Sequence, residues 1–135
     1  MKRAEIVLQG GYSGYEALQG FIASFAGSEG YSRLFLERLQ LGMKEAFVNA
    51  VKHGNGEQNS LSVSCTLSVV AGTLLASIRD CGNGFNPEEQ ANPVDPRNLF
   101  RLSGRGLYII RSIAEIIALE RDHEGSVLTL RFHPS

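Results

Sequence analysis

Between Leu61 and Val69 every second residue is apolar: Leu61, Val63, Cys65, Leu67 and Val69 alternate with Ser62, Ser64, Thr66 and Ser68. A period of two predicts a strand with one wet face. After Ala71-Gly72 a second strand, Thr73 to Asp80, turns back as a hairpin with Leu74, Ala76 and Ile78 on one face. Asp80 falls in phase with that buried set. Residues 4–9 read as a short first strand ended by Gly10-Gly11, and Ser13 offers a cap for a helix from about 14 to 26. A long helix is predicted over roughly 32–53, opened by Ser32 and stopped by Gly54-Asn55-Gly56. From 106 to about 119 the pattern is again helical, with Ile109, Ile110, Ile113, Ile116 and Ile117 as a wide apolar stripe. Two closing strands are expected near 118–123 and 126–132, joined across Glu124-Gly125. Pro87, Pro93 and Pro96 break up residues 85–103, which read as a mobile loop.

These elements predict an α+β fold: a two-layer sandwich in which helices cover one face of a mixed, mostly antiparallel sheet. With 135 residues, 43% of them hydrophobic, the chain is expected to form a single domain over 1–135 with a real core and no linker. The formal net charge of -1 offers no reason to expect direct nucleic-acid binding or an anionic membrane as partner. Cys65 and Cys81 lack a C-x-x-C spacing, and His53, His123 and His133 are scattered, so no structural metal site is expected. The basic start Met1-Lys2-Arg3 leads into an apolar segment broken by Glu5, too short for a signal-peptide core, and no run reaches the length of a membrane span. The expected location is the cytoplasm.

The candidate chemistry lies in three segments. On the long helix Glu45, Asn49, Lys52 and His53 fall at three- and four-residue spacing and stack on one face, while Phe47, Val48 and Val51 seat the other. Asp80 closes an apolar strand on its inward face, where an unpaired charge is costly, so it needs a donor. The exocyclic amine of adenine would serve; so would a turn into Gly82, and for Asp80 alone the turn is the plainer reading. Gly82 and Gly84 leave room for a planar base, and Gly104 and Gly106 precede a helix whose first amides can face phosphate oxygens. Neither glycine pair is specific alone. No G-x-x-x-x-G-K-[ST] or G-x-G-x-x-G pattern is present.

Taken together, the segments describe a nucleotide pocket without a Walker lysine, in which Asn49 fits a Mg²⁺ ligand and Lys52 a compensating cation. Glu45, one turn before Asn49, is the candidate general base near the terminal phosphate. For any one of these residues alone a solvated helix face is the plainer reading, and His53 suits a favourable charge at a helix C-terminus. Arg97, Arg101 and Arg105, in or beside the loop, read either as phosphate or partner contacts or as solvated arginines. Cys65 reads as a core residue, Cys81 as a neighbour of the base site.

The order Glu45-x-x-x-Asn49-Ala50-x-Lys52-His53-Gly54, Asp80-x-Gly82-x-Gly84, then Ser103-Gly104-Arg105-Gly106-Leu107 resembles the N, G1 and G2 boxes of the gyrase, heat-shock chaperone, histidine kinase and mismatch-repair ATP-binding superfamily. Within it the chain looks like the bacterial anti-sigma factor serine/threonine kinases. The resemblance implies a Bergerat-type fold and Mg·ATP as the bound nucleotide. It places Glu45 as catalytic base, Asn49 on Mg²⁺, and Lys52 and His53 beside the nucleotide. Asp80 takes the adenine contact with Gly82 and Gly84, and Gly104, Arg105, Gly106 and Leu107 form the phosphate-facing helix start. Residues 85–103 stand for the family's lid, and Glu115 for a carboxylate late in the helix after the G2 box. The implied activity is phosphorylation of an anti-sigma factor antagonist by a protein that otherwise holds a sigma factor, and a homodimer is common in the family. Two other readings stand beside it: a non-catalytic ATP-dependent protein-binding switch, and an orphan histidine kinase catalytic domain.

Overall fold

Five strands, β1 (Arg3–Leu8), β2 (Val63–Val70), β3 (Thr73–Arg79), β4 (Glu115–Asp122) and β5 (Gly125–Phe132), form one sheet in the spatial order β1-β2-β3-β5-β4. The computed structural model describes residues 2–82 and 104–134. Gly84, the segment 85–103, Arg97 and Arg101 lie outside the described residues.

All described pairings are antiparallel, which corrects the expectation of a mixed sheet. The chain returns after β3 to build the far edge first, as β4, and then inserts β5 between β4 and β3. β4 therefore runs in the same direction as β3 but is never its neighbour.

The alternation read in β2 and β3 is realised. Val63, Cys65, Leu67, Leu74, Ala76 and Ile78 are buried, and the register aligns them in rows such as Cys65, Ile78, Leu128 and Leu119. Three helices, α1 (Tyr15–Glu29), α2 (Arg33–Asn49) and α3 (Gly104–Ile113), cover this face. A 3-10 turn, Gly11–Gly14, leads into α1. Ser32 caps α2 as expected, its Oγ accepting from the Phe35 amide at 3.1 Å. Phe35 anchors α2 in the core, edge-on to Tyr31 at 4.8 Å and to Phe132 of β5 at 6.3 Å between centroids.

Two helix ends differ from expectation. The long helix keeps α winding only to Asn49, and Ala50–Gly54 form a π turn, closed by the Asn55 amide on the Ala50 carbonyl at 2.9 Å. The last helix, α3, stops at Ile113 rather than near 119, and β4 starts at Glu115. Ile116 and Ile117 belong to β4: Ile116 pairs with Leu130, and a bulge follows before Ala118 meets Thr129. β-Branched isoleucines at helical spacing suit a strand as well, which is why the stripe misled. The closing turn is His123-Glu124, since Asp122 already pairs with Gly125.

Glu115, expected on a helix, instead begins β4 and contacts His133 and Arg131. The His133 hydrogen bond, followed by the charges of His133 and Arg131, holds its carboxyl below the usual range. Among the described residues no helix is long and apolar enough to cross a membrane.

Candidate functional site

The π turn brings the end of the long helix down onto the end of β3. Between them lies a cleft whose helical wall is Ala46, Asn49, Ala50, His53 and Gly54. Its floor is Ile78, Leu119 and Leu128, one cross-strand row of the sheet, with Asp80 and Ser126 at its rim. The slot has an apolar floor, two alanines above it and a carboxylate at its rim, so it offers apolar surface together with a hydrogen-bond acceptor.

Asp80 sits one residue beyond β3 and is 7% exposed, as its phase predicted. Its Oδ1 accepts from the Gly82 amide at 3.0 Å and the Ser126 amide at 3.1 Å. Its own amide donates to the Ser126 carbonyl at 2.9 Å, so β5 and the turn after β3 together fix the carboxylate. Asp80 makes the turn into Gly82 and also lines the cleft.

Glycine is dictated here by contact. A Cβ on Gly54 would overlap the Asp80 carboxylate and come within 2.6 Å of its Cβ. A Cβ on Gly82 would strike the Gly54 carbonyl group, approaching its carbon to 2.7 Å. Main chain and carboxylate are in direct van der Waals contact, so no side chain fits between the two walls. Gly54 was legible as a helix stop and as the last residue of the N-box pattern, but not as a contact of Asp80.

Asn49, 6% exposed, is the last residue of α2. Its Nδ2 donates to the Glu45 carbonyl at 3.0 Å. A carbonyl only accepts, so the atom facing Glu45 must be the amide nitrogen, and Oδ1 is turned the other way. A hard cation takes such an oxygen as ligand. Among the described residues no cluster of three His, Cys, Asp or Glu side chains could hold a metal by itself, so a divalent ion there needs further oxygens from its ligand.

The four-residue polar face is divided. Asn49 and His53 line the cleft, while Glu45, half-buried, and Lys52, exposed, are not among its lining residues. Gly104, Arg105, Gly106 and Leu107 form the first turn of α3; Arg105 is exposed, Gly106 buried, and Leu107 packs against the core. Ala46, Ala50, Ile78, Leu119, Ser126 and Leu128 were not anticipated. Small residues at i and i+4 beside Asn49 and His53 were the available signal for the two alanines; the sheet residues depend on strand order.

A family model described as a histidine kinase-like ATPase domain matches residues 14–132. The chain belongs to this family. Within the histidine kinase-like ATPases it is similar to the serine-protein kinase RsbW of Listeria monocytogenes, 22% identical over 117 residues that cover 82% of this chain and 74% of the relative. The serine-protein kinase RsbW of Bacillus licheniformis is 25% identical over 118 residues, covering 82% and 73%. A crystal structure of the RsbU and RsbW domains of a Mycobacterium tuberculosis protein matches with a TM-score of 0.64 at 17% identity, over 99% of this chain. The chain spans about a third of that solved chain, 33%, and the likeness establishes the shared fold. The superfamily read from the three boxes is the one the family model gives.

The two thiols differ. Cys65 is fully buried, and burial pushes its thiol up to about 12. Cys81 is half-buried, its Sγ 3.5 Å from Ser62 Oγ. At pH 8 a maleimide is expected to label the native protein once, at Cys81, and Cys65 only after denaturation. Mass spectrometry of the labelled peptides checks this; rapid native labelling of Cys65 would contradict its burial.

Proposed function

We propose that this chain is an anti-sigma factor kinase that binds Mg·ATP in the cleft and phosphorylates a serine or threonine of an anti-sigma factor antagonist. The observation that carries the reading is the buried Asp80 carboxylate at the end of an apolar slot, opposite Asn49, in a histidine kinase-like ATPase whose similar relatives are named serine-protein kinases. Adenine lies in the slot with its amine on Asp80, and Gly82 gives the base room; Gly84 extends the same box outside the described residues. Asn49 offers Oδ1 to Mg²⁺, His53 lies beside the nucleotide, and Lys52 contacts the phosphates, which lie toward the amides of Gly104, Arg105, Gly106 and Leu107. Bound Mg²⁺ supplies charge neutralisation for the phosphate oxygens. Glu45 takes the proton of the acceptor hydroxyl as its oxygen bonds to the γ-phosphorus; the bond from that phosphorus to the β,γ-bridging oxygen breaks, and ADP leaves. A sigma factor is the second partner, held until the antagonist displaces it, in the cytoplasm.

The test is incubation with γ-labelled Mg·ATP and a lysate of the protein's own cell. One small labelled protein carrying acid-stable phosphate is expected. Acid-labile, alkali-stable phosphate would indicate a histidine kinase catalytic domain instead, and tight ATP binding with no labelled protein would indicate a non-catalytic switch.

A further inference from the structure

Asn55 is 2% exposed, lies immediately after the π turn, and does not line the cleft. All of its hydrogen-bonding groups are engaged. Its amide donates to the Ala50 carbonyl at 2.9 Å, and its carbonyl accepts from the Gln58 amide at 3.1 Å. Its side-chain Oδ1 accepts from the Cys81 amide at 2.7 Å, and Nδ2 donates to the Ser62 carbonyl at 3.0 Å. One side chain thus ties three pieces of backbone: the helix end that carries His53 and Gly54, the residue after Asp80, and the approach to β2.

Only an uncharged amide fits this position. A carboxylate has no donor for Ser62, and an aliphatic side chain leaves a buried amide and a buried carbonyl unpaired. The brace acts where the walls are closest, since Gly82 already abuts the Gly54 carbonyl. If Cys81 moves away from Asn55, Asp80 moves with it relative to Asn49 and His53.

We propose that Asn55 is a positioning residue that sets the separation between the Asp80 wall and the helical wall, and so sets selectivity for a 6-aminopurine. This rests on the nucleotide reading of the cleft given above. Phosphate contacts lie on the helix side of the brace, so its loss is felt mainly at the base.

The test compares Mg·ATP with Mg·ITP, in which a carbonyl replaces the 6-amino group, by titration calorimetry on wild type, Asn55→Ala and Asn55→Ser, with folding followed by circular dichroism. Wild type is expected to prefer ATP. Folded Asn55→Ala is expected to lose at least tenfold of that preference while ITP affinity stays within about threefold, and Asn55→Ser, which leaves a hydroxyl in the space, to lose part of it. An unchanged ATP-to-ITP ratio in either folded variant overturns the proposal, because a residue needed only for stability would lower the melting temperature and leave the ratio alone. Loss of fold in both variants would overturn it in favour of a purely structural role. Absence of Mg·ATP binding in wild type is read from that arm alone and defeats the nucleotide reading, and this inference with it; binding without preference for ATP over ITP overturns this inference alone.

Discussion

Asp80→Asn is expected to weaken Mg·ATP binding by at least about a hundredfold while leaving the fold intact. The carboxylate is already held by two main-chain amides on Oδ1, and an asparagine oxygen can keep both bonds. The amide nitrogen then takes the place of Oδ2, on the side facing Gly54. A donor there opposes the amino group of adenine where an acceptor had received it. Hydrogen bonds to charged groups contribute about 1.5–3 kcal/mol, and a buried donor left unsatisfied costs roughly another 1–3 kcal/mol. Together these come to about 2.5–6 kcal/mol, a range that begins close to the 2.7 kcal/mol or so that a hundredfold change requires. Titration calorimetry with Mg·ATP and a thermal melt decide it; affinity within threefold of wild type would remove adenine from Asp80.

The same residue shows how far the sequence could be read. Its burial follows from phase alone: Leu74, Ala76 and Ile78 alternate along β3, Asp80 continues their phase one residue past its end, and each is buried. Its partner Ser126 lies 46 residues away and meets it because β5, rather than β4, pairs with β3. Strand order of that kind depends on which hairpin inserts where, and no local pattern records it. The apolar floor of Ile78, Leu128 and Leu119 was hidden for the same reason, as was the wholly antiparallel sheet.

The helical wall was legible by composition but not by geometry. Glu45, Asn49, Lys52 and His53 have helical spacing, yet a π turn has no side-chain signature distinct from an α turn, and Ala50–Gly54 look like ordinary helix. Asn49 and His53 line the cleft, and Glu45 and Lys52 do not. Asn55 read only as part of a stop signal, and Gly54 as that and the end of the N-box pattern, because their contacts are made with Cys81 and Asp80, residues distant in sequence.

Glu45→Ala is expected to bind Mg·ATP within about threefold of wild type and to lose phosphotransfer by roughly 10²–10⁴-fold, the range for a positioned general base. The structure makes this substitution unusually clean. Asn49 is oriented by the main-chain carbonyl of Glu45, at 3.0 Å, and not by its carboxylate. Alanine keeps that carbonyl and favours the helix, so the orientation of Asn49 survives the change. Glu45 is also absent from the cleft lining, so its side chain is not needed to seat the base. Single-turnover transfer to the antagonist protein, set beside the dissociation constant for Mg·ATP, separates the two effects. Equal losses in binding and transfer would move Glu45 from proton acceptor to nucleotide ligand, and undiminished transfer would leave the acceptor hydroxyl to lose its proton elsewhere.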